Sequence, residues 1–82
     1  MIYIGSTLDR VKKVARNNLD EKSAFLVRPE ATIVSLGLDS IEFMELIKDL
    51  EDEFEITIED DDFPKLRTIQ DICEYADKKR AA

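Results

Sequence analysis

Leu8, Val11, Ala15 and Leu19 stand at i, i+3, i+7 and i+11, the spacing that lines one face of a helix, and they predict a first helix over about Thr7–Leu19. Ser6 or Thr7 can serve as its N-cap, with Asp9 favourable in the first turn. Asn17 and Asn18 weaken its end. Residues 20–39 break this period. Pro29 and scattered polar residues make them a long connection, yet Phe25, Leu26, Val27, Ile33, Val34 and Leu36 are too many apolar side chains for a free loop, so the segment should be pinned across a bundle.

The pattern is sharpest over Ser40–Phe54. At 100° per residue, Phe43, Leu46, Ile47, Leu50 and Phe54 fall in one arc that should face the core. Glu42, Glu45, Asp49, Asp52 and Glu53 fall in a second arc. Ser40, Ile41, Met44, Lys48 and Glu51 make a third, which leaves Ile41 and Met44 off the core face beside Ser40. Asp39 precedes the helix and Glu42 follows three residues later, the arrangement of a capping box. A short helical turn near Asp60–Leu66 is limited by Pro64, since proline fits only the first turn of a helix. Ile69, Ile72 and Ala76 then predict a last helix over about Ile69–Lys79, with Thr68 as N-cap and Lys78, Lys79 and Arg80 at its dipole-favoured end. Ile56–Ile58 has strand character but no partner strand. The expected architecture is all-α: a small four-helix bundle with a long loop between helices 1 and 2 and a short third helix, residues 1–82 forming a single domain.

Composition narrows the chemistry. The 82 residues include no histidine, which excludes Ser-His and Cys-His catalytic pairs and His-ligated metals, and one cysteine, Cys73, which excludes an internal disulfide. A reducing, cytoplasmic setting is expected. MIYIGSTLDR lacks the features of a signal peptide, and no stretch is apolar enough to enter a membrane. The net charge of −7 disfavours polyanionic partners, nucleic acid among them. It is unevenly placed: residues 36–66 hold 12 acids and 2 bases. Glu59-Asp60-Asp61-Asp62 lacks the alternating ligands and central glycine of a calcium loop, so no metal site is expected. Cys73, at helical spacing beside Ile72 and Ala76, reads as a small buried hydrophobe.

The segment Leu36-Gly37-Leu38-Asp39-Ser40-Ile41-Glu42 is the informative one. It sets a serine at the first position of an amphipathic helix, where free backbone N–H groups and the helix dipole favour a phosphate. No histidine can activate that serine as a nucleophile, so it reads as the acceptor of a modification rather than as a catalyst.

LGLDSIEFMELIKDLEDEF resembles the phosphopantetheine attachment region of acyl carrier proteins, whose usual form is LGxDSL followed by an acid-rich helix. STLDRVKKVARNNL is similar to the family's first helix, and EFEITIEDDDFPKLRTIQDICEY to its C-terminal part. The resemblance implies that Ser40 carries 4′-phosphopantetheine, donated by coenzyme A through a phosphopantetheinyl transferase, with Gly37, Leu38, Asp39 and Ile41 completing the motif and cap. It implies a carrier without catalytic activity, whose phosphopantetheine thiol holds acyl intermediates as thioesters and shuttles them between enzymes of fatty-acid, polyketide or related lipid biosynthesis, and the departures from the family pattern favour a specialised carrier over a housekeeping one. Acyl-loading, condensing and acyl-transfer enzymes with basic patches would dock on Glu42, Met44, Glu45, Asp49 and Asp52, with Glu59–Asp62 extending the footprint, and the chain would act as a monomer. Phe43, Leu46, Ile47, Leu50, Ile58, Leu66, Ile69 and Ile72 would line the acyl pocket, although the first four are most simply core.

The sequence departs from the family pattern at several points. Ile41 replaces the usual leucine, Thr32 a phenylalanine and Ser35 an acid; Phe43 is larger than usual, Lys48 stands in place of an apolar contact residue, and Pro64 interrupts the short helix. Phe43 or Phe25 could fill the volume of the missing loop phenylalanine. The alternatives are a peptidyl or aminoacyl carrier (D-alanyl included) and an unmodified acidic helical adaptor.

Overall fold

The computed structural model describes residues 4–19 and 26–81, with side chains from Thr7 onward. These residues form three α-helices, α1 (Ile4–Asn18), α2 (Ser40–Phe54) and α3 (Ile69–Ala81), and one 3-10 helix, Asp60–Lys65. Among the described residues the fold is all-α, with four helices of which the third is short, and residues 26–39 lead irregularly into α2. Among the described residues the only extended pairing is a single antiparallel bridge between Thr32 and Thr68. Val11, Val14 and Ala15 of α1, Leu46, Ile47, Leu50 and Phe54 of α2, and Ile69, Ile72, Cys73 and Ala76 of α3 form the core, sealed by Val27, Leu36, Ile58 and Leu66. No described helix is long and apolar enough to cross a membrane.

α1 begins three residues before the expected start, so Ser6 and Thr7 lie inside its first turn and neither is the N-cap. The Thr7 hydroxyl is spent elsewhere: Thr7 is buried and donates to the Asp77 carboxylate of α3. α1 packs against both other α-helices. Its seam with α2 is closed by Arg10, whose Nε donates to Glu53 Oε2 at 2.9 Å and whose Nη2 donates to the Glu53 carbonyl at 2.7 Å. Lys13 adds a second cation at 3.2 Å. These hydrogen bonds hold the Glu53 carboxyl below the usual carboxylate range. The Arg10 guanidinium also lies 4.5 Å from the centre of the Phe54 ring, and Arg80 of α3 lies 5.6 Å from it, so one buried aromatic ties three helices through cation–π contact.

The connection over residues 26–39 is pinned by its backbone. The first three N–H groups of α3 would lack intrahelical partners. The Ala31 carbonyl accepts from Ile69 N at 2.9 Å, the Pro29 carbonyl from Gln70 N at 2.8 Å, and the Thr68 hydroxyl from Asp71 N at 3.1 Å. Asp71 reciprocates to Thr68 N at 3.1 Å, so Thr68 caps the helix as expected. Thr32 and Ser35 form a reciprocal pair within the loop: each side-chain oxygen accepts the other's backbone N–H, at 3.0 and 2.9 Å. This pair closes a tight turn that ends at Gly37, whose φ of +76° suits glycine. Phe25 lies outside the described residues.

The short helix departs from expectation in one respect. Pro64 is not in its first turn but near its end. The segment tolerates it by winding as a 3-10 helix: Asp62 N reaches the Glu59 carbonyl at 2.9 Å and Leu66 N the Phe63 carbonyl at 3.0 Å, and neither bond needs the donor that Pro64 lacks. Asp62 anchors the segment by accepting from Tyr75 Oη of α3 at 2.6 Å and from Lys65 Nζ at 3.1 Å.

Candidate functional site

The start of α2 is built by its own side chains. Asp39 Oδ1 accepts from Glu42 N at 2.8 Å, and Glu42 Oε1 accepts from Asp39 N at 3.1 Å, completing the capping box. The Glu42 carboxylate therefore serves the cap, although the residue stays exposed. Ser40 follows as the first helical residue, and it is exposed. The N–H groups of Ser40 and Ile41 point out of the helix start, where no preceding turn supplies acceptors. The dipole adds positive potential at that point. An anionic phosphodiester on Ser40 Oγ therefore fits this end of the helix.

Ser40 also forms part of the wall of an open groove of about 580 Å³ between α2 and the 3-10 helix. Ile41, Met44, Ile47, Ile58 and Phe63 are its apolar members; Glu45, Lys48, Glu51 and Asp60 are its charged ones. Ile41 is 72% exposed and Met44 47%, two of the four exposed large apolar side chains among the described residues, and both lie beside Ser40. Lys48 shares this groove but sits two turns along α2, about 12 Å at 1.5 Å rise per residue, too far to activate the Ser40 hydroxyl.

The expected docking acids differ in their surroundings. Glu45 lines the groove, and Asp52 is exposed. Asp49 is exposed but accepts from Asn18 Nδ2 of α1 at 2.9 Å. Glu51 carries a structural bond: its Oε2 accepts from Ile58 N at 2.8 Å, while its carbonyl accepts from Glu55 N–H and, at 3.1 Å, from Ile56 N. Glu55 occupies the left-handed region at φ 56°, which turns the chain back so that Ile58 can reach Glu51. Of Glu59–Asp62, the first three are exposed, and Asp62 is engaged by Tyr75 and Lys65, whose hydrogen bonds lower its pKa.

The expected pocket residues do not share one cavity. Ile47 and Ile58 line the Ser40 groove. Phe43 and Leu66 line a second hollow with Thr32, Ile33, Val34, Phe63, Pro64 and Arg67. Leu46, Leu50, Ile69 and Ile72 lie in the closed core. Phe43 is only half-buried and meets Phe63 edge to face. The motif leucine Leu38 packs partly buried against the core. Sequence reasoning missed Phe63, Glu51 and Lys48 as groove residues. Lys48 and Glu51 were legible as members of the Ser40 helix face, whereas Phe63 reaches the groove only through the path of the chain after α2.

Residues 9–76 match the family described as phosphopantetheine attachment site. The acyl carrier protein of Desulforapulum autotrophicum is 42% identical over 71 residues, which span 85% of this chain and 92% of that protein. The acyl carrier protein of Exiguobacterium sp. is 54% identical over 44 residues, and that of Exiguobacterium sibiricum 60% over 40. Those two matches cover 56% and 51% of the relatives' lengths, so the chain spans about half of each. The chain belongs to the acyl carrier protein family, whose phosphopantetheine-attachment domain carries covalent 4′-phosphopantetheine.

Proposed function

We propose that Ser40 is the attachment residue and that the protein is a carrier of acyl groups rather than a catalyst. The observation that carries this reading is the position of Ser40: exposed, first in α2 behind the Asp39–Glu42 cap, and in the wall of an apolar groove. In the attachment step Ser40 Oγ bonds to the phosphorus of coenzyme A nearest the pantetheine. The adenosine bisphosphate half leaves, and the hydroxyl proton passes to the transferase. The bound group supplies a terminal thiol on a flexible arm, able to hold acyl groups as thioesters. The helix start stabilises the phosphodiester charge. Glu45 and Asp52, with the exposed Glu59, Asp60 and Asp61, present a negative field to basic patches of partner enzymes, while Ile41 and Met44 offer an apolar contact. Phe43 and Lys48 favour a specialised carrier of fatty-acid, polyketide or related lipid biosynthesis.

The test is incubation with coenzyme A and a broad-specificity phosphopantetheinyl transferase, followed by intact mass measurement. The expected result is one phosphopantetheine added to the wild type and none to Ser40→Ala. No gain in the wild type, or the same gain in the variant, overturns the assignment.

A further inference from the structure

Phe63 borders two hollows. On one side it belongs to the groove that begins at Ser40. On the other, with Phe43, it lines the second hollow of about 450 Å³, backed by Thr32, Ile33 and Leu66. The two rings stand edge to face, centroids 6.0 Å apart and planes at 81°, an arrangement that aromatic rings favour. Phe43 comes from α2 and Phe63 from the 3-10 helix, so their contact spans the seam between these elements. An arm tethered to Ser40 Oγ leaves from the edge of the first groove, because Ser40 is part of its wall, and by folding back it can lay the group at its end along that groove. A hydrocarbon tail there leaves water by lying against Ile41, Met44, Ile47 and Ile58.

We propose that the Phe43–Phe63 pair is the partition that ends the acyl groove and sets the chain length this carrier shelters. Short and medium tails lie along the groove. Longer tails meet Phe63, are kept from the second hollow, and leave their ends in solvent. This inference rests on Ser40 being the attachment residue.

The experiment uses the protein carrying phosphopantetheine, confirmed by mass and loaded with acetyl, hexanoyl, decanoyl or palmitoyl groups. Two readouts are taken: the rate of thioester cleavage by hydroxylamine, and the ring resonances of Phe43 and Phe63. In the wild type, cleavage should slow from acetyl to decanoyl and slow no further with palmitoyl. Phe63→Ala should slow palmitoyl cleavage severalfold more by joining the two hollows. Phe43→Leu keeps apolar volume while losing the edge-to-face contact; it should shift the profile the same way, and it carries the test if Phe63→Ala does not fold. Palmitoyl already best protected in the wild type, or profiles unchanged in the folded variants, overturns the partition while leaving the Ser40 assignment standing. Absence of any phosphopantetheine overturns both.

Discussion

The carboxylate of Glu51 accepts the backbone N–H of Ile58 at 2.8 Å, and this bond holds one apolar wall of the Ser40 groove in place. A charged residue on the Ser40 side of α2 thus does the work of a brace. Glu51→Ala should destabilise the protein by about 1–3 kcal/mol, the range for a hydrogen bond to a charged group whose partner is left unsatisfied. Glu51→Gln should retain part of this, because the amide oxygen still accepts. Glu45→Ala, at an exposed position on the same helix, should stay within about 0.5 kcal/mol of the wild type. Urea unfolding midpoints check the contrast, and equal losses at Glu51 and Glu45 would contradict it.

Acid should loosen the seam between α1 and α2. The Glu53 carboxyl is held below its ordinary value by hydrogen bonds from Arg10 and then Lys13, so the folded state binds its proton less readily than the unfolded chain. The stabilisation is complete above the unfolded value, about 4.3 for glutamate, and drains as pH falls through the lower folded value. Between about pH 5 and pH 3, Glu53→Gln should therefore lose less stability than the wild type. Parallel thermal melts across that range would refute the assignment if the two proteins fell equally.

Cys73 should be silent toward thiol reagents. It is buried in α3, and burial, with Asp77 and Glu74 adding repulsion, pushes its thiol up to about 11. At pH 8 the reactive thiolate is scarce and shielded. A disulfide reagent should find no fast-reacting thiol in the native unmodified protein, one after phosphopantetheine is attached, and an additional one in denaturant. A fast-reacting thiol in the native, unmodified chain would show that Cys73 is accessible.

What the sequence disclosed follows how local each interaction is. The Asp39–Glu42 box and the Thr68 cap are written within four residues, and both helix starts were legible from them. The start of α1 was not, because the Thr7 hydroxyl turns to Asp77 in the last helix. Thr32 and Ser35 read only as departures from the family pattern, although their three-residue spacing permits the reciprocal bonds they make. Phe43 carried the period of a core residue, but its neighbour Phe63 comes from a separate element and draws it toward a surface hollow. Glu51 could be placed on a helix face; its bond to Ile58 depended on the left-handed turn at Glu55.

The carbonyls of Pro29 and Ala31, which satisfy the first N–H groups of α3, also bear on how the molecule is assembled. A chain growing from the ribosome can wind α1 and α2 early, since their bonds are local. The turn from Thr32 to Leu38 closes on its own bonds, but it is tied to the bundle, through Pro29, Ala31 and Ile33, only once Arg67, Ile69 and Gln70 have been synthesised. The attachment region is therefore finished late, and a chain truncated before Arg67 would present Ser40 on a helix whose approach is unanchored.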